Sequence, residues 1–191
     1  GEALPADSHR VRSDTVGVSR SSVFARNARM TASGSCVVNT AAFSFDIASF
    51  MTRWLKTLNQ DAQFPDGTFA HVAPKVNERG GSTAWGDAAI VCTNSIYPTY
   101  ADTRVISDNY EAMSRYMAWL DGKTKDGIAK VGGFGDWVNL GDPTSPDLID
   151  TAYRAELCRM MGEMAGVIGK ADDARKFAAA HAATVAAFRA R

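Results

Sequence analysis

The chain has 191 residues, enough to bury a core within a single domain, and its 21 basic and 21 acidic residues leave a formal net charge of zero. This balance argues against a nucleic-acid partner, because no excess of positive charge is available to bind phosphates. No apolar run is long enough to cross a membrane, and the polar residues 1–14 hold no signal-like apolar region, so the compartment stays open between cytoplasm and secretion.

The first third of the chain divides into an irregular segment and a helix. Residues 1–35 show little hydrophobic periodicity and are rich in Ser, Arg and Ala, which predicts irregular structure. Apolar side chains then recur at helical spacing, which predicts one helix over about residues 37–61. A second helix is expected over about residues 85–101. We expect it to kink or end early at Pro98, because proline lacks the backbone N–H that a helix interior needs.

The rest of the chain also follows a helical pattern. Further helices are predicted over about residues 104–121, 148–168 and 171–190. No strand candidate is longer than a few residues, so we predict an all-α fold of roughly five helices joined as antiparallel hairpins. The distribution of apolar residues predicts that 37–50 and 84–96 are buried on most sides, whereas 170–191 is amphipathic and lies on the outside.

Two glycine-rich segments carry the residues most typical of a binding site. Residues 80–89 (GGSTAWGDAA) and 132–141 (GGFGDWVNLG) each combine several glycines with a tryptophan and an aspartate. A flat indole can stack on a sugar ring, a carboxylate can accept hydrogen bonds from hydroxyl groups, and glycine lets the backbone approach a ligand closely. The candidate sugar-binding residues are therefore Trp85, Asp87, Asp136 and Trp137.

Both segments also have a structural interpretation. Trp85 and Asp87 would then be a packed ring and an acid that offsets the dipole of the helix after it. Asp136 and Trp137 would be a tight turn with a packed indole. The sequence leaves both interpretations open.

Other kinds of functional site find little support. The three cysteines and three histidines are scattered and lack the spacing of a metal site or a disulfide framework. We therefore expect no metal ion and no cofactor. There is no phosphate-binding loop, nucleophile elbow or convincing Cys/His pair, so the remaining catalytic option is a pair of carboxylates, as in glycoside hydrolysis.

Taken in chain order, several short motifs resemble the bacterial α-L-rhamnosidases, an inverting family with an (α/α)6 six-hairpin toroid. The matching motifs are NTAAFSFD at 39–46, WL at 54–55, DAQ at 61–63, PDG at 65–67, VAP at 72–74, AWGDA at 84–88, YADTR at 100–104, GDW at 135–137 and DLIDTAY at 147–153. Each motif is short, but their collinear order over about residues 40–191 makes the set specific.

The resemblance implies that residues 36–191 are part of a six-hairpin glycosidase domain, roughly half of the toroid, preceded by a divergent segment at 1–35. It implies a parent enzyme that removes terminal α-L-rhamnose from glycosides or polysaccharides with inversion, using one carboxylic acid and one carboxylate. In the rhamnose pocket, it assigns ring contacts to the two candidate tryptophans and hydroxyl binding to the two candidate aspartates.

The departures from the family concern catalysis. Just upstream of residue 39, family members carry a motif close to CPQRDERLGWTGD, whose Glu is the general acid. Counting back from Asp46 places Arg26 at that position, and arginine cannot protonate a leaving group at neutral pH because its pKa is far too high. The same count places Met30 and Ser33 where a pocket tryptophan and the last aspartate belong. The general base lies near the end of the family's toroid, outside these residues, so we predict no catalytic residue and no activity for this chain alone.

Alternatives for the missing acid stay open. Residues 25–28 (ARNA) can be encoded so that reading one base earlier gives CPQR, and residues up to about 35 would then be a frame-shifted translation. The chain would otherwise be a non-catalytic helical carbohydrate-binding or scaffold module, with Arg26 a settled change. Another six-hairpin glycosidase is the third possibility, because a fold hosts many functions.

Overall fold

A computed structural model describes residues 30–31, 34–77, 79–136 and 139–190. The predictions for residues 1–29, including Arg26, for Ser33 and for Trp137 lie outside this description. Within it, the elements in chain order are β1 (Met30–Thr31), α1 (Gly34–Ser44), α2 (Ala48–Asp61), β2 (Val72–Ala73), α3 (Ala88–Tyr100), α4 (Arg104–Ser107), α5 (Tyr110–Gly122), β3 (Thr124–Lys125), β4 (Ile128–Ala129), α6 (Pro146–Val167) and α7 (Ala171–Arg189).

The predicted single helix over residues 37–61 is wrong, because the chain breaks between α1 and α2. The N–H of Ile47 donates to the hydroxyl of Tyr100 at 2.8 Å, and the carboxylate of Asp46 accepts the N–H of Ala48 at 3.2 Å. These two bonds replace the regular helical ladder at this point. The break depends on Tyr100, which lies far away in the sequence, so local periodicity could not reveal it.

The next two predicted helices also differ from the structure in detail. Helix α3 includes Pro98 and continues to Tyr100, where Ala101 ends it in a left-handed conformation with φ of 52°. Of the two outcomes predicted at Pro98, a kink or an early end, the early end is therefore excluded. The predicted helix over 104–121 is divided into α4 and α5 at Asn109, whose side-chain amide donates to the carbonyl of Val105 at 2.6 Å. Side chains that bond to nearby backbone compete with helix continuation in this way.

Helix α3 is the centre of the described fold. It contacts α1 and α6, and it also packs against α2 and α5, while α6 and α7 form an extensive hairpin. Ala89 and Ile90 of α3 are fully buried, as predicted for the inner segment 84–96. Helix α7 buries only Phe177 and Thr184, which confirms the prediction of an outer, amphipathic helix.

Helix α1 is more exposed than predicted. Val38 and Ala41 are buried, but Phe43 is 94% exposed and Val37 is 49% exposed. The expectation that residues 37–50 are buried on most sides is therefore wrong for this helix. Val38 and Ala41 join the hydrophobic core, while Val37 and Phe43 stay outside it.

The sheet content is small. Strand β1 pairs with β2 in antiparallel register, and β3 pairs with β4 in the same sense. Helices α3 and α6 each follow a loop that contains one of the glycine-rich segments. Among the described residues, no helix combines the length and apolar character that crossing a bilayer requires.

Candidate functional site

The structure brings the two glycine-rich segments together. A Cβ atom placed on Gly133 would lie 2.4 Å from the Cβ of Ser82, so the backbone of the second loop rests directly on the first loop. Gly133 has φ of 123°, which only glycine adopts readily, and no other residue would fit at this contact. The loops before α3 and α6 therefore form one continuous feature.

Trp85 lies where the two loops meet. Its indole N–H donates to the carbonyl of His71 at 3.1 Å, and its ring centroid lies 5.0 Å from that of Phe134 with the planes tilted by 49°. Phe134 also lies 5.0 Å from the ring of His71. The indole is half-buried, so part of it stays accessible while its orientation is determined by these contacts.

Asp87 lies beneath the first loop. Its side chain is 1% exposed, and Oδ2 accepts the N–H of Ala84 at 3.0 Å. Burial raises the pKa of Asp87 to about 7, although its backbone hydrogen bonds act in the opposite direction. The carboxyl group therefore changes between its neutral and ionised forms near neutral pH. In this position it supports the loop from inside rather than presenting an oxygen at the surface.

Asp136 closes its own loop. Oδ2 accepts the backbone N–H of Thr144 at 2.8 Å and the side-chain amide of Asn139 at 2.5 Å. These hydrogen bonds hold the pKa of Asp136 below its usual value. The neighbouring candidate Trp137 lies outside the described residues, so the structure places only three of the four predicted binding residues.

Asp150 connects the two loops, and sequence reasoning did not assign it to the site. It is 2% exposed, and its carboxylate accepts the backbone N–H groups of Val131 at 2.7 Å and Gly132 at 2.9 Å, together with the hydroxyl of Thr83. A signal was present in the sequence. Asp150 lies four residues before Arg154 on the buried stripe of α6, where a carboxylate needs partners.

A cluster of buried polar groups lies under the loops. Ser82 Oγ, Asp87 Oδ1 and the hydroxyl of Tyr116 are buried without a hydrogen-bond partner among the described residues. Burial and the negative charges of Asp87 and Asp150 raise the pKa of Tyr116 well above its usual value. The Tyr116 phenol therefore lies near two carboxyl groups, those of Asp87 and Asp150, which come from different parts of the fold.

The loops border an open cleft. The cleft has a volume of about 530 Å³ and is lined by Phe64, Pro65, Asp66, Thr68, Gly80, Gly81, Trp119, Lys123 and Val131. Trp119 places a half-buried indole in this lining, whereas Trp85, Asp87 and Asp136 do not line the cleft. No group of three or more His, Cys, Asp or Glu side chains is arranged to hold a metal ion in the described part of the chain.

Sequence comparisons identify relatives of this chain. The family model described as the bacterial α-L-rhamnosidase six-hairpin glycosidase domain matches residues 28–191. An α-L-rhamnosidase of Streptomyces avermitilis is 38% identical over 133 residues, and one of Formosa agariphila is 29% identical over 158 residues. These matches cover 69% and 78% of this chain but only 13% and 17% of the relatives. The resemblance found in the motifs is confirmed.

Structural comparisons agree with this result. The crystal structure of Streptomyces avermitilis α-L-rhamnosidase complexed with L-rhamnose aligns with a TM-score of 0.77 and 32% identity, covering 84% of this chain and 15% of that protein. The α-L-rhamnosidase from Dictyoglumus thermophilum aligns with a TM-score of 0.76 and 24% identity, over 83% of this chain and 18% of that protein; at this identity the likeness concerns the fold alone. The prediction of an all-α fold that forms part of a six-hairpin toroid is confirmed.

Proposed function

Because the chain belongs to the six-hairpin glycosidase domain family of the bacterial α-L-rhamnosidases, we propose that its two glycine-rich loops contribute to a pocket that binds α-L-rhamnose. The observation that carries this proposal is the contact between the loops, which places the half-buried Trp85 at their junction. One structural neighbour is a rhamnosidase crystallised in complex with L-rhamnose, which supports the choice of sugar.

The residues have different roles in this proposal. Trp85 presents an indole face that can stack on the apolar side of the sugar ring, and the resemblance assigns a similar ring contact to Trp137. Asp136 accepts hydroxyl hydrogen bonds while its other bonds hold the second loop closed. Asp87 contributes from beneath the loop, because its side chain is almost completely buried.

For the reaction, we propose that these residues act within a longer glycosidase that hydrolyses terminal α-L-rhamnosides with inversion. Such a reaction needs a carboxylic acid to protonate the leaving oxygen and a carboxylate to activate water. Arg26 occupies the position that the resemblance assigns to the acid, so the 191-residue chain by itself should not hydrolyse rhamnosides. Release of p-nitrophenol from p-nitrophenyl α-L-rhamnopyranoside by the purified chain would contradict this statement.

Binding of L-rhamnose to the chain tests the pocket directly. An NMR titration should detect binding of L-rhamnose but not of its enantiomer D-rhamnose. Trp85→Ala should weaken this binding about three- to tenfold, because an aromatic contact is worth about 0.5–1.5 kcal/mol. Phe43→Ala is the matched control, since Phe43 is an aromatic residue 94% exposed on α1, away from the loops. An equal loss in both variants, or no binding at all, would overturn the proposed pocket.

Arg26 favours a second candidate function, a non-catalytic helical carbohydrate-binding or scaffold module. In that case the gene keeps an intact reading frame with Arg26, and the protein binds rhamnose or a partner without hydrolysing rhamnosides. Sequencing the locus separates the two candidates. A restored acid-bearing motif before Thr40 supports the glycosidase, and an unbroken frame supports the binding or scaffold module.

A further inference from the structure

The turn that carries Trp85 is closed by one buried carboxyl group. Asp87 Oδ2 accepts the N–H of Ala84 at 3.0 Å, and the N–H of Gly86 donates to the carbonyl of Ser82 at 2.6 Å. Ala84 has φ of 61°, a left-handed conformation that a residue with a Cβ adopts only when its surroundings support it. Asp87 supplies that support from inside the fold.

The conformation of this turn decides where the indole points. Trp85 directly follows Ala84, so the backbone angles of Ala84 set the direction of the Trp85 side chain. The indole then reaches the carbonyl of His71 and the ring of Phe134. If Ala84 relaxed to a more common conformation, Trp85 would lose both contacts.

The environment of Asp87 makes its ionised form costly. Tyr116 of α5 interacts electrostatically with Asp87 and with Asp150 of α6. The cationic side chains of α2, Arg53 and Lys56, are exposed to solvent. The Oδ1 atom of Asp87 has no hydrogen-bond partner among the described residues. Burial is the largest influence on its pKa, which rises to about 7. An ionised carboxylate in such a place gains more from water than from one backbone N–H.

We propose that Asp87 is a positioning residue for Trp85, and that ionisation of its buried carboxyl group loosens the turn from Ala84 to Asp87 and thereby weakens binding of L-rhamnose. The neutral form keeps the turn closed because it needs no hydration. The ionised form favours local opening that admits water to the carboxylate. The positioning of Trp85 is independent of any ligand, whereas the effect on L-rhamnose rests on the proposed function.

The indole N–H resonances of the full chain test the positioning without sugar. The Trp85 resonance, assigned with Trp85→Phe, should move in a transition centred near neutrality as the pH rises from about 5 to about 9. The Trp54 resonance is the internal control, because its N–H donates to the carbonyl of Ala73 inside the core at 3.3 Å. Asp87→Asn keeps an acceptor for Ala84 but cannot ionise, so the transition should disappear.

His71 supplies the control for a competing explanation, since it is titratable and its carbonyl binds Trp85. His71→Gln should keep the transition. A transition that survives Asp87→Asn, or one that His71→Gln removes, would overturn the positioning role. Asp87→Ala should displace the Trp85 resonance at every pH, and if it does not fold, the comparison of Asp87→Asn with His71→Gln still decides.

The same samples separate the two proposals. L-rhamnose should bind the wild-type chain more weakly at a pH above the Trp85 transition than below it. The difference should reach about three- to tenfold, the range expected for losing the Trp85 contact. The Asp87→Asn variant should bind L-rhamnose with the same affinity across this pH range. A clear Trp85 transition in a chain that does not bind L-rhamnose would preserve the positioning role and refute the pocket. Binding of L-rhamnose without a Trp85 transition would preserve the pocket and refute the positioning role.

Discussion

Replacing Asp87 by asparagine should stabilise this chain, and the gain should grow with pH. The side chain is 1% exposed, so its carboxylate loses nearly all hydration when it ionises in the folded state. Asparagine has almost the same shape, retains an oxygen that can accept the N–H of Ala84, and carries no charge. The comparison therefore isolates the free energy of ionising one buried group.

The pKa values give the sign and the size of the effect. Burial raises the pKa of Asp87 from 3.8 to about 7, so between these values the folded chain holds one proton more than the unfolded chain. The stabilising contribution is complete below pH 3.8 and is lost as the pH rises through about 7. At about 1.4 kcal/mol per pH unit over about three units, the ceiling is about 4 kcal/mol. Water that reaches the carboxylate lowers the loss, so we expect about 2–4 kcal/mol.

Urea unfolding of the wild-type chain and Asp87→Asn, followed by circular dichroism, measures this difference. The two free energies of unfolding should nearly coincide at about pH 4 and diverge up to about pH 8. Asp136→Asn is a control of opposite sign, because hydrogen bonds lower the pKa of Asp136 in the folded state. The Asp136→Asn variant should be less stable than wild type at neutral pH. The difference in free energy of unfolding should disappear as the pH falls below 3.8 and through the lowered pKa of Asp136. Parallel curves for wild type and Asp87→Asn would refute the reasoning.

Three further predictions concern the loops and the gene. Gly133→Ala should destabilise the chain by about 1–3 kcal/mol more than Gly132→Ala in thermal or urea unfolding. Both glycines have positive φ, but only a Cβ on Gly133 would clash with Ser82. Asp150→Ala should cost about 3 kcal/mol and raise amide hydrogen exchange at Val131, since it leaves two loop N–H groups without their carboxylate acceptor; unchanged exchange would contradict this. Sequencing the locus should reveal a shifted frame before about residue 35 if the frame-shift hypothesis holds, and an unbroken frame would end it.

Local patterns predicted where the helices lie better than where they break. The spacing of apolar residues in α6 and α7 depends only on the helical repeat, and both helices were predicted to within a few residues of their observed bounds. The break before α2 depends on the hydroxyl of Tyr100, and the end of α4 depends on Asn109. Such hydrogen bonds depend on tertiary neighbours or on a side-chain choice that periodicity does not record.

The candidate site was predicted in part. Glycine next to tryptophan and aspartate indicated two loops, and the structure joins them at Gly133 and Ser82. The sequence indicated that Asp87 belongs to this region but not that it is buried. It did not indicate Asp150 as the link between the loops, because its partners at Val131 and Gly132 are known only once α6 packs against them.

Sequence alone therefore determined the all-α class, the family and the two glycine-rich loops, because helical periodicity, residue chemistry and motif order are written along the chain. Only the tertiary structure decided that Asp87 supports the loop from inside, that Asp136 closes its own loop and that Asp150 joins both loops. Burial and hydrogen-bond partners come from segments distant in the chain, and these determine whether a carboxylate faces a ligand, a backbone N–H or the protein interior.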